Sequence, residues 1–110
     1  MNNLVSVVIT CYNHEKYVGK CIESVFNQSF QNIELIVIND GSSDLSGQII
    51  EDLIKQSPFK DTIYLTQENI GICATRNRAI EMINGDFLLF VDSDNFLEFN
   101  YIEKLLNTAI

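Results

Sequence analysis

Four short runs of apolar, largely β-branched residues recur along the chain with amphipathic stretches between them, and this alternation constrains the fold more than any other feature. The runs are Val5 to Thr10, Ile33 to Asn39, Thr62 to Thr66 and Phe87 to Val91. Each has the length and composition of a buried strand. Between the first two, Tyr17, Val18, Cys21, Ile22, Val25 and Phe26 follow helical spacing, with Asn13 as a candidate cap. Between the second and third, Leu45, Ile49, Ile50, Leu53 and Ile54 do the same, with Ser42 or Ser43 as cap and Pro58 past the end. The third connection is less regular: Ile72, Arg76, Ala79, Ile80 and Ile83 share helical faces, and Gly85 stands where a helix C-terminus favours glycine. A last helix is expected from Asn100 to Ala109.

The order β-α-β-α-β-α-β-α with near-continuous apolar strands predicts an α/β fold of Rossmann-like architecture. In such a fold a parallel sheet carries helices on both faces, joined by right-handed crossovers. A chain of 110 residues suffices for one core. Its 46% hydrophobic residues and mean hydropathy of +0.08 are those of a globular domain.

The formal net charge of −8, from 15 acidic against 7 basic residues, argues against a nucleic-acid or anionic-membrane surface. An anionic ligand would need a divalent cation between itself and the acidic side chains. Cys11, Cys21 and Cys73 are odd in number and form no CxxC pair, so they read as free, buried small hydrophobes suited to a reducing cytosol. The N-terminus lacks a basic region followed by a long apolar stretch, and no run approaches the roughly 20 apolar residues of a membrane span. A cytoplasmic location is expected, at the inner face of the membrane if a longer protein is held there.

In an open parallel sheet, ligands bind outside the carboxyl ends of the strands. Here those ends carry Cys11, Tyr12, Asn13 and His14; Asn39, Asp40, Gly41, Ser42, Ser43 and Asp44; and Asp92, Ser93, Asp94 and Asn95. Asp92 and Asp94, one residue apart at the end of an apolar run, can offer hard oxygen ligands to Mg²⁺ or Mn²⁺ while leaving coordination sites for a diphosphate. Isolated DxD tripeptides are often only acidic turns. Asp40 is the first residue past a buried strand and could accept a hydrogen bond from a base N–H or a sugar hydroxyl. For Ser42, Ser43 and Asp44 a turn with a helix cap is an equal alternative. Gly71 permits close backbone approach where the third helix opens. Arg76 and Arg78 could meet a base or phosphate, or form surface salt bridges. His14 reads as a polar loop residue, and Tyr12 as either a platform for a planar base or a partly buried core side chain.

Taken together, Val7-Val8-Ile9-Thr10-Cys11-Tyr12-Asn13, Ile38-Asn39-Asp40-Gly41-Ser42-Ser43-Asp44, Asn69-x-Gly71-x-x-x-Thr75-Arg76-Asn77 and Asp92-Ser93-Asp94 resemble the family 2 glycosyltransferases of the A-type fold. The resemblance runs through almost the whole chain. It implies that residues 1–110 are the nucleotide-sugar-binding part of a catalytic domain. The donor would be a nucleoside-diphosphate sugar, usually a UDP-sugar, and the acceptor a saccharide or lipid, often in the building of cell-surface polysaccharide. Carried over by position, Thr10, Tyr12 and Asp40 would hold the nucleobase and its ribose, with Arg76 against the base. Asp92 would contact the ribose or sugar, and Asp94 would bind Mn²⁺ or Mg²⁺ on the diphosphate. The resemblance further implies inversion with a general base from beyond residue 110, so these residues alone are expected to bind donor weakly or not at all. Self-association through an uncovered sheet edge is a further expectation.

The principal alternative is a non-catalytic nucleotide-binding or structural α/β domain, against which the three aspartates Asp40, Asp92 and Asp94 speak. A phospho-acceptor signalling domain would need its aspartate after the third strand, where Thr66-Gln67-Glu68 stands. Neither GxGxxG after the first strand nor GxxxxGK[ST] is present.

Overall fold

The computed structural model describes residues 3–109. The elements run β1 (Val5–Cys11), α1 (Val18–Phe26), β2 (Ile33–Asp40), α2 (Ser46–Ile54), β3 (Asp61–Gln67), α3 (Ile72–Ile80), β4 (Phe87–Asp92) and α4 (Tyr101–Ala109). The four strands form one sheet in the order β3-β2-β1-β4, with every pairing parallel. The chain thus walks outward from β1 through β2 to β3 and then returns to the far side of β1. Right-handed crossovers require that reversal of direction to be accompanied by a change of face. Accordingly α1 and α2 pack on one face and α3 on the other, against β1 and β2.

Alternation along β1 and β2 sends Val5, Val7, Ile9, Cys11, Ile33, Leu35 and Val37 toward α1, α2 and α4. It sends Val8, Ile36 and Ile38 toward Ala79 of α3. The stripe Val18, Cys21, Ile22 and Val25 is wholly buried along α1, so packing rather than capping fixes this helix. Replacing Ile22 with alanine would cost roughly 2–5 kcal/mol.

Several local expectations are corrected. Only β1 and β2 are buried throughout; β3 and β4 are edge strands with partly exposed residues, because each has a single partner strand among the described residues. Asn13 does not cap α1, whose N-cap is Tyr17, and Ser42 and Ser43 do not cap α2, whose N-cap is Leu45. Gly85 is not a helix C-cap, since α3 ends at Ile80. A Cβ there would lie 2.4 Å from Ser6 Oγ and 2.7 Å from Ser6 N, so glycine is needed for close passage beside β1. Cys11 and Cys21 are buried as expected, but Cys73 is exposed on α3.

Behind Gly85, the buried Glu34 carboxylate accepts hydrogen bonds from the Ser6 hydroxyl, from Asn84 N at 2.6 Å and from Asn84 Nδ2 at 3.1 Å. Gly85 N in turn donates to Ser6 Oγ at 2.9 Å. Burial raises the affinity of Glu34 for a proton, yet the donors from Asn84, Ser6 and Gly85 outweigh it and hold the carboxyl below its ordinary value. This network ties the segment that leads into β4 to the amino ends of β1 and β2.

Candidate functional site

The reversal of strand order occurs between β1 and β4, and a crevice opens there beyond their carboxyl ends. Thr10 and Asp92 are register partners at its floor. A cavity of about 300 Å³ lies over this point, at the small end of ligand sites. Its lining includes Thr10, Tyr12, Asp40, Asp92 and Asp94, five of the six residues singled out by sequence. Arg76, the sixth, lies at its side with Nη2 3.2 Å from Asp92 Oδ1.

Asp40 is the last residue of β2 rather than the first beyond it, and is almost completely buried. Its Oδ1 accepts from Gln67 Nε2 at 2.9 Å and Ile70 N at 2.8 Å. Its Oδ2 accepts from Asn69 Nδ2 at 3.2 Å and Gly71 N at 3.1 Å. These four bonds fill the roughly four acceptor sites of a carboxylate. They draw the segment before α3 over the end of β2. Gly41 and Gly71 both take positive φ, at 74° and 89°. At Gly41 a Cβ would also meet Asn69 N at 2.7 Å, so the two loops interlock. Gln67, passed over in the sequence, bridges Asp40 to the buried Thr75 hydroxyl at 2.9 Å and accepts from Arg78 Nη1 at 2.6 Å. Arg78 is therefore engaged with Gln67 and does not line the cavity.

Arg76 also lies over the Phe90 ring, 5.0 Å from its centroid, and its Nε is buried without a partner among the described residues. Tyr12 is 49% exposed, which overturns the core alternative and leaves its ring on the rim. His14 is no idle loop residue: its Nδ1 lies 2.6 Å from Oγ of the buried Ser93. The rim loops are laced to each other. Asn13 N donates to Ser42 Oγ at 2.9 Å, Ser43 N to Asn13 Oδ1 at 2.8 Å, and Glu15 N to Asp44 Oδ2 at 3.1 Å. The polar side chains expected to cap helices are spent on these bonds between loops.

Asp92 and Asp94 are separated by one turn residue, and Asn95 N donates to Asp92 O at 3.0 Å across the turn. No cluster of three or more ligating side chains occurs among the described residues. One or two carboxylates facing a cavity suit Mg²⁺ or Mn²⁺ that completes its shell with phosphate oxygens and water. Asp94 is exposed, and the second oxygen of Asp92 is not taken by Arg76. The donor set therefore fits such an ion.

Comparison with known proteins agrees with this geometry. The chain is 44% identical over 105 residues to the putative glycosyltransferase EpsH of Bacillus subtilis, covering 96% of this chain and 30% of that protein. It is 37% identical over 110 residues to glycosyltransferase GlyA of Streptococcus pneumoniae, covering all of this chain and 16% of that protein. It thus spans under a third of either relative. Among solved structures, S. aureus TarS in complex with UDP superposes with a TM-score of 0.80 at 29% identity, over 94% of this chain and 31% of that one. TarS in complex with UDP-GlcNAc gives 0.76 at 32% identity, over 96% and 30%. The fold is accordingly that of the A-type glycosyltransferases. With the family model for glycosyl transferase family 2 matching residues 6–110, the chain belongs to that family.

Proposed function

We propose that residues 1–110 form the donor-binding part of a glycosyltransferase catalytic domain. The whole protein would transfer a sugar from a UDP-sugar to a saccharide or lipid acceptor in the building of cell-surface polysaccharide. The observation that carries this reading is the gathering of Thr10, Tyr12, Asp40, Asp92 and Asp94 around one cavity at the strand-order reversal. The similar solved structures with UDP and UDP-GlcNAc support uridine as the base.

In this reading the exposed Tyr12 ring stacks on the base, and Thr10 and Asp40 line its edge. The four internal donors that fill the Asp40 carboxylate assign it to shaping the wall against which the base lies. Arg76 and Asp92 act as a pair beside base and ribose. Asp94 would hold Mn²⁺ or Mg²⁺. When bound, the ion offsets charge that accumulates on the departing nucleoside diphosphate. An acidic rim would otherwise repel that anion. Transfer is inverting, and the acceptor's proton goes to a general base.

The test is a thermal-shift panel of UDP, GDP, CDP and ADP with Mn²⁺, on the longest natural form of the protein that contains this chain. UDP is expected to raise the melting temperature most. Equal shifts for all four nucleotides, or none, would overturn the reading.

A further inference from the structure

His14 is tied to the turn between the two aspartates in a way that neither its sequence position nor the motifs announce. We infer that His14 is a positioning residue for the Asp92–Ser93–Asp94 turn, acting through Nδ1 on Ser93 so that both carboxylates face the cavity in the geometry that metal-dependent nucleotide binding needs. This rests on the donor-site reading above.

Ser93 is wholly buried between two aspartates that both line the cavity. Its backbone N donates to Thr10 O at 3.1 Å, which fixes the turn to the end of β1. Its hydroxyl has one hydrogen-bond partner among the described residues, His14 Nδ1 at 2.6 Å. A buried hydroxyl stripped of its partner would turn outward or admit water. Either response rotates the turn on which Asp92 and Asp94 are mounted.

The main chain that carries the imidazole is itself held from behind. His14 N donates to the buried Ser46 Oγ at 3.1 Å, and His14 O accepts from Tyr17 N at 3.0 Å and Val18 N at 2.8 Å. The ring packs edge-on against Tyr17, with centroids 6.2 Å apart. The start of α2 and the start of α1, through its main chain, and the aspartate turn, through its ring, therefore meet at this one residue. Such support keeps ligating groups within the narrow tolerance that metal and phosphate binding demand. With Nδ1 committed to Ser93, any direct ligand contact would fall to Nε2, and the two nitrogens can be told apart by substitution.

Asparagine places a polar atom near the position of Nδ1, and glutamine near that of Nε2. The experiment measures UDP affinity with Mn²⁺ and with a chelator for the wild type, His14→Ala, His14→Asn, His14→Gln and Ser93→Ala, in the longest natural form of the protein. Amide hydrogen exchange at Ser93 and Asn95 is followed in parallel. His14→Ala is expected to weaken the Mn²⁺-dependent affinity roughly tenfold, to leave affinity in chelator within about twofold, and to speed exchange at Ser93 and Asn95 alone. His14→Asn restores most of the loss, His14→Gln does not, and Ser93→Ala matches His14→Ala. Rescue by glutamine instead of asparagine would overturn the inference in favour of a direct ligand contact. Equal loss with and without metal would overturn it as a general structural effect. Wild-type binding that His14→Ala leaves intact sinks the inference alone, whereas no UDP binding by the wild type sinks the donor-site reading and this with it.

Discussion

Arg76 Nη2 lies 3.2 Å from Asp92 Oδ1 while the guanidinium rests over the Phe90 ring, so α3 and the end of β4 meet at the edge of the cavity. Both side chains are about two-fifths exposed, and an ion pair so open to solvent contributes at most about 1 kcal/mol to stability. Arg76→Ala should therefore change the urea midpoint only slightly. If the pair serves ligand binding, UDP affinity should fall by roughly tenfold or more. A large loss of stability with unchanged affinity would assign the pair to the fold instead.

Asp40→Asn replaces one acceptor oxygen with an amide group that must face two donors, either Gln67 Nε2 and Ile70 N or Asn69 Nδ2 and Gly71 N. The expected loss is about 2 kcal/mol in denaturant unfolding, the scale for stranding buried polar groups. Crosspeak shifts in an amide NMR spectrum should concentrate on residues 67–75.

The two positive-φ glycines should respond differently to alanine. At Gly71 nothing among the described residues lies within 4 Å of where a Cβ would stand, so Gly71→Ala carries only the backbone cost of φ 89° with ψ 162°, a region nearly confined to glycine, of roughly 1–3 kcal/mol. At Gly41 a positive φ of 74° is joined by a clash with the backbone of Asn69, 2.7 Å from where the Cβ would stand, so Gly41→Ala should be the more destabilising in paired thermal melts.

Glu34 gives stability a specific dependence on pH. Its carboxyl is held below the ordinary value, so its contribution is fully present above the unfolded-state value and fades as pH falls through the folded one. Glu34→Gln should cost about 2 kcal/mol near neutral pH, with the gap to wild type closing in acid. A gap that stays constant across that range would contradict the role assigned to the Asn84 and Ser6 donors.

Thiol labelling should separate the cysteines. Burial, with Cys11, Asp94 and Asp92 nearby, pushes the Cys21 thiol up to about 12, and Cys11 is buried too. Cys73 is exposed and should react first with a maleimide in the native protein. Cys11 and Cys21 should follow only under denaturant.

The strands were legible because β-branched runs such as Val5 to Thr10 carry their signal within a few residues. That β3 and β4 lie at the edges was not, because strand order is settled by contacts far apart in sequence. The same distinction explains the misjudged caps. Asn13 and Ser42 are typical cap residues, yet each finds its partner across the rim, 29 positions from the other. Gly85 looks in sequence like punctuation for a helix, whereas its reason is the close passage of Ser6, 79 residues earlier. Five of the six candidate residues stand around one cavity because the carboxyl ends of parallel strands are where polar residues in such a fold must gather. His14 and Gln67 were undervalued since their importance lies in what they hold, Ser93 and Asp40, rather than in their own type.

The most direct test of the account is a calorimetric titration of UDP with Mn²⁺, repeated in chelator and again on Asp94→Ala, using the longest natural form of the protein that contains this chain. The account predicts binding with Mn²⁺ that weakens at least about tenfold in chelator, and an Asp94→Ala variant whose weak binding no longer responds to the metal. UDP affinity that is the same in all three arms, or absent from all of them, would contradict it.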